Sequence, residues 1–136
     1  MRQEKGQSLA EIGLLLPVFL LAVMMVVDIG RAVYYYSVIY NGAREGARYG
    51  VIDMSFTTDD SDVEAAVRRL GAGFLKNADI DSDIDTITGP SGRVFEVIWV
   101  TVTYQFQAAT PFLARLTGSG NNSIVLSTRA TMQVER

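Results

Sequence analysis

Residues 6–27 read GQSLAEIGLLLPVFLLAVMMVV, and the rest of the chain answers to them. Residues 12–27 form a run of sixteen without one charge, and a single carboxylate, Glu11, stands immediately before it. At about 1.5 Å per residue, a helix of that length covers about 24 Å, short of the roughly 30 Å of hydrocarbon in a bilayer. Leu9, Ala10 and Ile29 make up part of the difference, which puts a membrane span at about residues 9–29.

The join between Gly6 and Glu11 needs its own explanation. A carboxylate at the mouth of a membrane helix is unfavourable, by up to about 2.5–3.5 kcal/mol if carried to the middle of the span. It calls for a partner. Were the chain cut after Gly6, Gln7 would become the first residue, with a free positive amine, and Glu11 would stand one helical turn further on, about 6 Å along the axis. A neighbouring copy displaced axially by that amount would set its amine against this carboxylate and cancel both charges in apolar surroundings.

A basic leader ending in Gly6, Glu11 at the fifth position after it, and an apolar helix that follows without pause resemble the processing site of type IV pilins and pseudopilins. The continuation, with LLLPVFLL and NGAREGARYG, resembles more narrowly the TadE-like pilins of tight-adherence (Tad) pilus systems. The motifs cover residues 6–50. The chain departs from type IVa pilins in one respect: they carry their helix proline further along than Pro17. The resemblance implies that a prepilin peptidase cuts between Gly6 and Gln7, and that the product assembles into a pilus or at its base.

Composition sets the outer bounds. With 136 residues, one small domain plus an anchor is the natural count. The formal charge of −3 becomes one unit more negative if Arg2, Glu4 and Lys5 leave with the leader, so there is no basic footprint for nucleic acid. Cysteine and histidine are both absent, which excludes disulfides, thiolate chemistry and imidazole-based metal sites or general bases. A removed secretory signal is the main rival for the N-terminus, but it wants small residues in an A-x-A-like pattern where this chain has VVDIGRAVYYY.

Taken in order, the leader (residues 1–6) carries Arg2 and Lys5, which favour a cytoplasmic N-terminus. Pro17 sits inside the apolar helix, where it cannot donate to the carbonyl of Gly13. A mild kink is the simple consequence; a segment spanning Gly13 and Pro17 that loosens between membrane and filament is the sharper one. No turn signal appears before Gly50, so the helix is expected to run over residues 7–50. Asp28 with Arg31 and Glu45 with Arg48 are spaced for pairing, and Val33, Tyr36, Tyr40, Ala43 and Ala47 fall on one stripe. Tyr34, Tyr35, Tyr36 and Tyr40 read both as core packing and as an interfacial belt. Gly42, Gly46 and Gly50, beside Ala43 and Ala47, form a ridge of small residues that admits another backbone closely, chiefly that of the chain's own sheet and secondarily that of another subunit.

The remainder, residues 51–136, reads as an α+β head. A polar loop covers residues 51–60, and Ser61 with Glu64 makes a capping box before a second helix over about residues 62–77. Asp79, Asp81, Asp83 and Asp85 alternate, but Ile84 and Pro90 stand where a calcium loop needs glycine and glutamate; a strand with Ile80, Ile84 and Thr86 inward and the aspartates in water fits better. A turn at residues 89–92 leads into a strand over residues 94–107 whose inner row is Val94, Ile98, Val100, Val102, Tyr104 and Phe106. Glu96 interrupts that row, and Trp99 stands on the outer face. A helical turn over residues 110–116, a loop at 118–122 and a last strand over 124–134 complete the chain. The expected architecture is a lollipop: a long helix whose second half packs on about three antiparallel strands, with one additional helix.

The functional expectation is a structural pilin-like subunit, held in the cytoplasmic membrane and then assembled into an extracellular adhesive filament through packing of its N-terminal helix. Gln7 and Glu11 of different copies would set the register. Its expected partners are further copies, companion pilins, prepilin peptidase and the membrane, with no nucleic acid, small-molecule substrate, cofactor or metal. A minor pseudopilin that primes or caps the filament, and a bitopic protein whose outer domain binds a partner without polymerising, are the alternatives. No nucleophile elbow, phosphate loop or metal-ligand cluster suggests an enzyme.

Overall fold

A computed structural model of the chain describes residues 2–52, 61–71, 73–110 and 123–134. The expected polar loop before the second helix, apart from residues 51 and 52, lies outside these residues. So do the helical turn beyond Thr110 and the loop at 118–122. The described elements are α1 (Arg2–Ile52), α2 (Ser61–Leu70), a 3₁₀ turn (Phe74–Asn77), β1 (Asp79–Thr88), β2 (Val94–Gln107) and β3 (Ser123–Val134). The expected α+β class holds: a long N-terminal helix, one further helix and three strands in the order β1-β2-β3.

Helix α1 is continuous over 51 residues, with Pro17 inside it. Its length is about 76 Å. By packing, the chain divides into two compact units. One joins residues 1–33 to 107–124, and the other joins 34–106 to 125–136.

In the second unit, Ile39, Ala43 and Ala47 of α1, Val63 and Val67 of α2, Leu75 and Ala78, and Ile98, Val100 and Val102 of β2 form one buried cluster. The buried face of α1 differs from the expected stripe. Ala43 and Ala47 lie on it, but Val33, Tyr36 and Tyr40 are exposed, and Ile39 and Tyr35 take the inward positions instead. Both stripes have helical spacing and share Ala43 and Ala47; the glycines at 42, 46 and 50 decide between them by letting other elements approach along that line.

α2 also stops earlier than expected. Gly71 ends it, Gly73 takes a left-handed φ of 88°, and the chain re-forms as the 3₁₀ turn. A Cβ on Gly71 would lie 2.7 Å from Leu75 Cδ1, so the turn closes too tightly for any side chain there. Arg68 fastens it: its guanidinium donates to the Leu75 carbonyl and to the Ala78 carbonyl (3.4 Å), while Glu64 accepts from Arg68 Nε at 2.8 Å. Glu64 therefore serves this pin, beside whatever it contributes at the start of α2.

The sheet follows its alternation except at the start of β2, where Val94, expected on the inner row, is 65% exposed and Val97, of the opposite parity, is buried. β1 pairs antiparallel with β2, Asp83 opposite Trp99 and Ser82 opposite Val100. Along β3 every second residue from Ile124 to Val134 is at least half-buried and the others are exposed, as the alternating row requires. Thr103 meets Ser127 at 3.2 Å and Arg129 Nε donates to Thr101 at 2.9 Å, a descending order that marks β3 as antiparallel to β2. The Arg129 guanidinium lies 4.4 Å over the Trp99 ring, so Trp99 packs within its own sheet face. β1 is covered only along its first half: Ser82 is buried, whereas Ile84 is 40% exposed and Thr86 is exposed as well.

Candidate membrane and assembly helix

The N-terminal part of α1 has no core to pack into. From Gly6 to Met24 every residue is exposed, with Leu9 at 77% and Leu14 at 73%. A contiguous apolar surface of this size is far beyond the scattered exposed hydrophobics of a soluble surface and marks a helix made for lipid or for other helices. The helix is long and apolar enough to cross a membrane. Gln7 and Glu11, one turn apart, are both exposed on it, and Gly6 and Gly13 have nothing within 4 Å of a built Cβ. α1 runs through Gly13 and Pro17 without interruption.

Asp28, which ends the uncharged run, is treated differently. It is fully buried. Its Oδ1 accepts from the Ala109 N–H at 3.0 Å and from Arg31 Nη1 at 3.2 Å; its Oδ2 accepts from the Thr110 N–H and the Thr110 hydroxyl, both at 2.7 Å. Each oxygen thus takes two donors, which fills the accepting capacity of a carboxylate. Sequence reasoning finds the Arg31 partner from its spacing and misses the segment beyond β2. Nothing local in the sequence joins residue 28 to residue 110; the one available signal is that Asp28 stands two helical turns before Tyr35 and four before Gly42, positions that turn inward.

The small-residue ridge is occupied within the chain's second unit. A Cβ on Gly42 would lie 3.2 Å from Val67 Cγ1, one on Gly46 would lie 2.5 Å from Val67 Cγ2 and 3.3 Å from Val63 Cγ1, and one on Gly50 would collide with Ile98 Cδ1. Ala43 and Ala47 are fully buried beside them. The tyrosines divide. Tyr35 stacks on Tyr104 (5.2 Å between centroids, 13° between planes) and lies 5.6 Å from Phe106, while Tyr34, Tyr36 and Tyr40 are exposed.

The four aspartates of β1 stand exposed in a row. Asp83 Oδ1 accepts from the N–H of Ile84 and Asp85 Oδ1 from that of Thr86, each at 2.8 Å. Among the described residues, no group of three or more acidic side chains converges on a point where a metal ion would sit. Clefts in the second unit are open, one lined by Thr86, Val94, Phe95, Glu96, Gln133 and Val134, another by Tyr36, Ser37, Tyr40 and Asn41.

Glu45 and Arg48, on the exposed side of α1, form a two-pronged pair at 2.7 and 3.0 Å. The hydrogen bond from Arg48 holds the Glu45 carboxyl below its ordinary range.

No curated protein and no solved structure matches the chain significantly. Residues 6–48 match the family described as TadE-like protein, over the same stretch of α1 that carries the exposed apolar run, Glu11 and the beginning of the glycine ridge. In that segment the chain is TadE-like, consistent with a Tad pilus-associated, pilin-like protein.

Proposed function

We propose that the chain is a structural pilin-like subunit, inserted in the cytoplasmic membrane with its N-terminus inside, cut by a prepilin peptidase between Gly6 and Gln7, and assembled into an extracellular adhesive filament with further copies or companion pilins. The observation that carries this reading is the helix that exposes apolar side chains all round with one carboxylate, Glu11, at its entrance. Lipid covers that surface before assembly, and neighbouring helices cover it afterwards.

The two carboxylates flanking the run have different roles in this reading. Asp28 has its accepting capacity filled inside the chain, so it is unsuited to pairing between subunits. Glu11 is exposed in apolar surroundings, and the amine that cleavage would create at Gln7 of another copy suits it in charge and in axial offset. The ridge of Gly42, Gly46 and Gly50 holds the helix to its own domain. Replacing Glu11 with Ala tests this: the variant should insert into membranes as the parent does and be depleted from filaments, and parental filament content would refute the pairing.

A further inference from the structure

Asp28 is a buried acid to which the assembly proposed above gives no role, and it sits where the uncharged run ends. It grips two successive residues, Ala109 and Thr110, through both their N–H groups and the Thr110 hydroxyl, with Arg31 completing the set. We infer that this clasp is a depth stop: it fixes how far α1 enters the membrane by holding a second stretch of backbone against the helix at the outer end of the span.

The inference rests on the membrane reading above and deepens it. Beyond Asp28 the helix continues with Ile29, Gly30, Ala32 and Val33, interrupted only by Arg31, whose long stem reaches towards water from within a span. The uncharged run, about 24 Å, is shorter than the hydrocarbon, and a short span gains by drawing flanking residues in. An unclasped helix would slide until Ile29 and Val33 were covered. With the clasp closed, sliding would carry the carboxylate, the Arg31 head and the backbone at 109–110 into hydrocarbon together. Non-helical backbone is not tolerated in contact with lipid. Asp28 therefore stays at the outer boundary. Seventeen residues further in, about 25 Å along the axis, Glu11 is then drawn inside the inner boundary rather than left in the headgroups. The stop at one end loads the carboxylate at the other.

The natural chain has no cysteine, so single cysteines can be placed without background. Val26→Cys, Ile29→Cys and Val33→Cys, all at exposed positions of α1, are introduced into the full chain in cells. They are labelled from outside with a membrane-impermeant maleimide, and carbonate-resistant membrane association is measured in the same samples. In the parent background, positions 29 and 33 should label and position 26 should not. Adding Asp28→Ala should lower labelling at position 29 at least fivefold and reduce it at position 33. Thr110→Val, which removes one donor and leaves the fold's backbone bonds, should shift position 29 the same way by a smaller factor. Should Asp28→Ala fail to accumulate, Thr110→Val and Asp28→Asn carry the test. Unchanged labelling in membrane-associated variants overturns the depth stop alone. A parent chain that carbonate extracts overturns the membrane reading and the stop with it.

Discussion

The carboxylate of Asp28 and the backbone N–H of Thr110, 82 residues apart in sequence, meet at 2.7 Å, and the Thr110 hydroxyl closes on the same oxygen at the same distance. Hydrogen bonds to a buried charge are worth about 1.5–3 kcal/mol each, more than most neutral ones. Thr110→Val should therefore destabilise the chain in detergent by about 1.5–3 kcal/mol, and Thr110→Ser, which keeps the hydroxyl, by clearly less. Thermal unfolding followed by circular dichroism reads the difference.

The glycine ridge yields a contrast within one helix. Gly46→Ala sets a methyl 2.5 Å from Val67 Cγ2, and overpacking of that kind costs about 1–3 kcal/mol. Gly13→Ala meets nothing within 4 Å and removes a poor helix former, so stability should hold or rise slightly. Chemical unfolding of the two variants in one detergent checks the order; equal effects would show that the ridge is not closely packed.

The edge of β1 is capped by its own side chains. Asp83 and Asp85 occupy the N–H groups of Ile84 and Thr86, which a foreign strand would otherwise pair with. The double variant Asp83→Ala with Asp85→Ala should associate more in detergent than the parent, by light scattering after size-exclusion chromatography. Asparagine at both positions keeps the accepting oxygen and should remain closer to the parent; if it associates as strongly as the alanine variant, charge and not capping protects the edge.

The Glu45 and Arg48 pair predicts a pH dependence with a definite sign. The Arg48 hydrogen bond lowers the folded-state value of Glu45 below its ordinary 4.5. The pair's contribution is thus fully present above that value and is lost as the pH falls through the lowered one. The difference in melting temperature between the parent and Glu45→Gln should be constant from pH 8 to about pH 5 and shrink towards pH 3. Because both groups face solvent, the difference should be small and weaken with salt.

Much of this was legible in the residues. The alternation of Ile124, Leu126, Thr128, Ala130, Met132 and Val134 specifies an inner row because a strand has a period of two and only one face is covered. Helical periodicity is less decisive: Tyr36 and Tyr40 fit the spacing as well as Tyr35 and Ile39 do, and the contest is settled by what packs against them. Gly71 lies inside the stretch whose spacing predicts the second helix, but its lack of a side chain ends the helix, since Leu75 fills the space a Cβ would need. The grip of Asp28 on Ala109 and Thr110 is a long-range contact with no local signature. The apolar run and Glu11, which carry the functional reading, are local, and they are the features that sequence shows best.

The most direct test is the N-terminal residue of the chain in filaments sheared from cells, read by sequencing or intact-mass spectrometry. The account predicts a chain that begins at Gln7, with the first six residues gone. A filament whose subunits still begin at Met1 would contradict it, because no free amine would then stand at Gln7 to meet the Glu11 of a neighbour.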